Sequence, residues 1–276
     1  MTLAVRNSVF GLGVGVTAVM LAGFAVAGYA FASGYYDPSQ LEIPTTQGWL
    51  HLTWTVPRST ALASLWGTAA VAVVALAASV VSAALFRRVN SSEIYFMTVF
   101  MLALCFELLR VGQPLVGVWN LPPLYGIVLT RVVTFARLTG ALSLFAAGVY
   151  GAGADNPRTG SISALLAAVS FLIVYLAPVD SAVVFANQLH PVGVRSGVDM
   201  MLLFLSIASV ANYLIGWLKG YTERGALVLV AVAAVVVGRD LVFFVPAVTS
   251  LVIATALIAA GCATLIWIHR SRHLWS

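Results

Sequence analysis

Charge is the scarcest thing in this chain. Of 276 residues only 8% are charged and 61% are hydrophobic, where a water-soluble domain is about a quarter charged and about half apolar. The deficit excludes a soluble globular body, and the length left between apolar runs is too short to hold one. Lysine is nearly missing: Lys219 stands alone among fourteen basic residues. No polybasic tract occurs, so the net charge of +5 points to membrane orientation and not to nucleic-acid binding. The two cysteines, Cys105 and Cys262, lie inside apolar runs, which argues against a disulfide framework and a cysteine metal site. A P-loop and a nucleophile-elbow sequence are also missing, and the last apolar run has no lysine to hold a retinal. The chain therefore offers no ATPase of its own and no hydrolase of that type. Gly11-Leu12-Gly13-Val14-Gly15 follows no strand and is no dinucleotide fingerprint. No motif names a cofactor, a metal, a substrate or a reaction.

What the chain does have is eight long apolar runs, at 8–32, 61–86, 94–117, 123–150, 161–186, 197–217, 226–246 and 248–268. Each is near the ~20 residues that a membrane-crossing helix needs. Strands of a closed barrel would be about ten residues long and alternate apolar with polar, which these runs do not. The sequence thus predicts an all-α polytopic transmembrane bundle. It forms a single integral membrane domain over 1–276, with helix 1 at 8–32, an external loop at 33–60 and helices 2–8 within 61–268.

Fixed positive charge orients the bundle. With a cytoplasmic amino terminus, Arg6, Arg87, Arg88, Arg158, Lys219, Arg224, Arg270 and Arg272 fall inside and only Arg58 and Arg195 outside, the bias expected in the cytoplasmic membrane with both termini cytoplasmic. Aromatic residues mark both edges: Trp49, Trp54, Trp119 and Tyr125 outside, Tyr95, Trp217, Tyr221 and Trp267 inside. The first run also resembles a secretory signal, with Arg6 before it and Ala30-Phe31-Ala32 as a cleavage site, and its removal would leave seven helices. Its length exceeds the about 7–15 apolar residues of a signal, and Gly11 and Gly15 offer a small-residue packing face, so an uncleaved helix is favoured. The loop at 33–60 mixes Gly34, Pro38, Pro44 and Pro57 with Tyr35, Tyr36, Leu50 and Trp54. It is either an interfacial cap over the bundle or a structureless linker with aromatic anchors.

Four arginines, Arg110, Arg131, Arg137 and Arg239, and three acids, Glu107, Asp180 and Asp240, fall within predicted spans. A central arginine costs ~2.5–3.5 kcal/mol on insertion scales, so these groups should face one another, water or the bundle interior. At ~1.5 Å of rise per residue, all but Arg137 share a layer toward the external side. Gln113, Asn187, His190 and Asp199 sit near its mouth, and Arg137 lies nearer the middle. Glu107, Arg110 and Pro114 share one helical face, and Pro178 is placed to kink helix five beside Asp180. The candidate ligand-binding set is therefore Glu107, Arg110, Gln113, Arg131, Asp180, Arg239 and Asp240. Two readings compete: the charges pair only to lock helices, or they line an outward cavity whose one excess positive charge suits a small anion or carboxylate. No catalytic residue is assigned. His190 beside Pro191 reads as a loop residue, and His269 with His273 as a tail facing headgroups.

The function expected is a receptor-like or sensory module that binds a small ligand, an anion fitting best. Its state would be read by a separate cytoplasmic or membrane partner, with membrane lipids around it. A proton-coupled transporter is the alternative, and it requires polar residues along the whole path. Behind these stand a membrane-embedded enzyme on a lipid-linked substrate, with Glu107 or Asp180 as general base, and a structural subunit of a membrane complex.

Overall fold

The computed structural model describes residues 3–34, 44–49, 52–87, 89, 91–154, 158–193, 195–220, 224–245 and 247–274. In chain order the elements are α1 (Leu3–Ala32), β1 (Thr46–Trp49), β2 (Leu52–Thr55), α2 (Arg58–Leu85) and α3 (Ser92–Phe106). A 3₁₀ turn (Glu107–Gly112) leads to α4 (Gln113–Val118), α5 (Leu124–Gly151), α6 (Thr159–Leu176), α7 (Arg195–Leu218), α8 (Gly225–Phe244) and α9 (Val248–Leu274). Among the described residues eight segments are long and apolar enough to cross a membrane, the third made of α3, the turn and α4 together. The chain is a multi-pass helical membrane protein. The third and fourth segments are the most buried and the first and fifth the least, so α3 and α5 form the centre and α1 and α6 the periphery.

Close helix approaches rest on glycine, because apolar side chains gain little by leaving lipid for a protein neighbour and tight packing must supply the attraction. A Cβ on Gly261 of α9 would stand 2.7 Å from the Ala231 carbonyl oxygen of α8, and one on Gly238 of α8 would stand 2.8 Å from that of Ala254. The crossing of α5 and α7 uses the same device, with Gly148 against Asn212 and Gly216 against the Gly151 carbonyl. The packing face expected at Gly11 and Gly15 is rotated away: both are exposed with nothing within 4 Å, and Gly13 instead meets Leu102.

At one end of the bundle the Arg6 guanidinium donates to the carbonyls of Val89 (2.5 Å), Phe86 (3.0 Å) and Arg87 (2.8 Å), closing the carboxyl end of α2. His269 is buried there, 3.7 Å from Glu93 and edge-on to Phe86. It is thus no headgroup-facing residue; the His273 side chain lies outside the described residues. Tyr95, expected at the membrane edge, is also buried and accepts from the Ser163 hydroxyl at 2.9 Å.

The other end is capped. Within the 33–60 loop, β1 and β2 pair as an antiparallel hairpin, Thr46 opposite Thr55 and Trp49 opposite Leu52. Tyr35, Tyr36, Pro38 and Leu50 lie outside the described residues. The hairpin is fastened to the connector after α6: the Ala186 N–H donates to the Thr46 carbonyl (2.8 Å) and the Asn187 N–H to Gln47 Oε1 (3.0 Å). Trp49 lies against Phe244, ring centroids 5.5 Å apart. Gln47 is fully buried, so Gln47→Ala strands the Asn187 amide, a loss of about 1–3 kcal/mol. The expected result is faster amide exchange at residues 186–189 with little change elsewhere; uniform exchange across the bundle would contradict a local fastening.

The fifth segment ends ten residues before the predicted 186. Pro178 bars its predecessor from helical backbone, Ala177 is extended (φ −70, ψ 127), and α6 stops at Leu176. The proline terminates the helix where a kink was expected. Residues 177–193 instead fold back over the bundle as an apolar flap, closed by bonds from Asp180 N–H to Pro191 and from Gly193 N–H to Pro178.

Candidate functional site

An ion-pair layer lies beneath the cap. Glu107 opens the 3₁₀ turn, a stretch that continues into Pro114, whose ring nitrogen cannot donate back to the preceding turn. In 3₁₀ geometry residues three apart eclipse, so Glu107 and Arg110 still face the same way. Glu107 Oε1 accepts from Arg239 Nε at 3.1 Å, and Arg239 Nη2 donates to the Arg137 carbonyl at 2.8 Å. Both side chains are buried, so this pair pins α3, α5 and α8 together. Locking is therefore what two of the expected residues do.

Arg110 is buried beside them but meets no carboxylate within salt-bridge distance among the described residues. Its Nε donates to the Thr68 hydroxyl at 3.1 Å, Nη2 also bonds Thr68 and reaches the Val242 carbonyl at 3.4 Å, and Nη1 has no hydrogen-bond partner among the described residues. Arg137, set apart in the sequence reading, is the residue that completes the layer. It contacts Asp240 Oδ1 through Nη2 at 3.4 Å, its guanidinium lies 3.2 Å from the Phe243 ring centroid, and Nε and Nη1 have no hydrogen-bond partner among the described residues. A helical Cβ tilts toward the helix amino terminus, and α5 runs away from the cap, so this long side chain climbs back toward Asp240. The spacing Thr130, Thr134, Arg137 along one helical face was the available signal.

Gln113 joins a different group. It occupies the space left by Gly126, whose added Cβ would stand 2.7 Å from Gln113 Nε2, and its Nε2 lies 3.2 Å from His190 Nε2. His190 Nδ1 is 2.9 Å from the Val183 carbonyl. Both contacts fit a ring protonated on Nδ1, with Nε2 accepting from the amide. His190 thus sits in a loop as expected, but buried.

Asp180 does not reach the layer. It is exposed in the flap, and Oδ1 accepts from the Ala182 N–H at 3.0 Å, a consequence of α6 stopping at the proline. Arg131 is half-buried on α5, and its Nε has no partner among the described residues.

Between cap, flap and bundle lies an open cleft with about 490 Å³ of empty space, part of it open to solvent. Arg137, Thr134, Asn187, His190 and Asp199 supply its polar lining, and Phe185, Leu189, Leu202, Phe243 and Phe244 much of its apolar wall. Sequence reasoning missed Phe185, Phe243, Phe244 and Gly48 of this lining, since apolar residues in a membrane chain carry no mark of whether they face lipid or a cleft. Beyond Arg137 the interior turns apolar: Leu138, Ala141, Leu144 and Ala147 of α5 and Val228, Val232 and Val235 of α8 are buried. The hydroxyls there mostly return to their own helices, as Thr98 to Ile94 and Ser209 to Leu205.

Fold and site together define a multi-pass helical protein with a capped, partly charged cleft at one end. No protein-family model and no curated protein matches this chain.

Proposed function

We propose that the protein is a receptor-like module that binds a small ligand in the capped cleft and whose state is read by a separate cytoplasmic or membrane partner. The observation that carries this reading is Arg137, 2% exposed, lining a cleft with two of its three guanidinium nitrogens lacking a hydrogen-bond partner among the described residues. A buried guanidinium with open N–H groups is costly to keep unless something binds it. The apolar interior beyond Arg137 favours a receptor over a transporter, since a substrate crossing the bundle would need polar stations along its way. The excess of positive residues in the connectors opposite the cap favours a cytoplasmic membrane location with both termini inside and the cleft facing out. Exposed Trp119 and Tyr125 at the capped end and Trp217 and Trp267 at the other suit the two interfaces of a bilayer.

Liposomes holding purified protein distinguish the readings. The expected result is saturable binding of a small solute, lost in Gln47→Ala protein whose cap is loosened, with no proton movement driven by any solute gradient. Proton flux at turnover rates would replace the receptor by the transporter.

A further inference from the structure

We infer that the cleft takes a small organic carboxylate with a compact apolar body, which docks on Arg137 in place of Asp240; this rests on the receptor reading above. Three observations converge. First, the protein's own partner for Arg137 is a carboxylate held loosely: the contact is 3.4 Å, longer than the ~2.7–2.9 Å of a good charge-assisted bond, and the Asp240 side chain is 29% exposed. A ligand carboxylate with better geometry can take over that bond, and Nε and Nη1, buried with no hydrogen-bond partner among the described residues, add to the unmet demand for an acceptor. Second, the buried layer is short of negative charge. Arg110, Arg137 and Arg239 are buried against the carboxylates of Glu107 and Asp240, so with Asp180 out in the flap and Arg131 only half-buried the excess is still one positive charge. One further negative charge would balance three buried cations.

Third, the walls select what carries that charge. Phe185, Leu189, Leu202 and Phe244 have nothing to offer an inorganic ion but suit an apolar body, and Phe243 already covers the Arg137 guanidinium. A carboxylate with an apolar body meets every one of these conditions, whereas phosphate fails the last.

Binding to protein in nanodiscs tests this with benzoate as probe, against benzyl alcohol, benzylamine and inorganic phosphate. Benzoate is expected to bind at least about tenfold more tightly than the other three, the worth of one charge-assisted hydrogen bond. Arg137→Gln should lose at least that factor for benzoate alone. Asp240→Asn removes the internal competitor and should tighten benzoate several-fold, a gain that no folding defect imitates. If benzyl alcohol or benzylamine binds as well as benzoate, and Asp240→Asn changes nothing, the carboxylate assignment is overturned while a small-ligand receptor stands. Phosphate binding as tightly as benzoate overturns it in favour of an inorganic anion. Failure of all four probes to bind overturns the carboxylate assignment too, and the liposome binding and proton-flux measurements then decide whether the receptor reading survives.

Discussion

Arg239→Ala is expected to cost about 3–5 kcal/mol of stability, the penalty for leaving one member of a buried ion pair behind. The variant strands Glu107 in the bundle centre and also deprives the Arg137 carbonyl of its donor. Glu107→Ala should cost a similar amount, because Arg239 then loses its ion-pair partner. The double variant Glu107→Gln with Arg239→Met should recover most of the loss, since apolar or neutral replacements of similar volume often match a buried pair. Chemical unfolding in detergent measures all three. Additive single losses in the double variant would mean that the two residues hold the fold through other contacts and not through each other.

Gly261→Val is the second large effect. Its first added carbon would lie 2.5 Å from Val235 Cγ2 and 2.7 Å from the Ala231 carbonyl oxygen. The side chain can give way but the backbone cannot, so α8 and α9 must separate. Overpacking of this kind costs about 1–3 kcal/mol in ordinary cores, and a shift of α8 also displaces Arg239 and Asp240. The expected result is a lower unfolding midpoint together with loss of solute binding. Gly15→Ala supplies the control: open space surrounds it, and alanine is the better helix former by about 1 kcal/mol at most, so its midpoint should stay or rise slightly. Equal behaviour of the two variants would contradict the tight α8 and α9 approach.

Several particulars show how far the chain could be read before folding. The eight spans were legible because twenty apolar residues in a row have one stable solution in lipid. That Glu107 and Arg239 share a charged layer was legible, since neither is stable against lipid at that depth; that they pair with each other was not. Asp180 was misplaced because residues 177–186 are apolar enough to continue a span, and hydropathy cannot separate a helix in lipid from a flap packed over a bundle. Pro178 held the needed information, read as a kink and acting as a stop. Arg137 was set aside on the depth of its Cα, although a long side chain directed by helix polarity reaches more than a turn away from it.

Composition alone determined that this chain is a helical bundle built for a membrane, because partitioning into lipid is a sum over residues that needs no knowledge of neighbours. Which arginine found an acid, which was left with open donors, and which apolar residues walled a cleft were decided only when the helices packed. Those outcomes depend on rotation and crossing of helices, set by glycines on different helices, and on a hairpin and flap whose apolar residues look no different from those facing lipid.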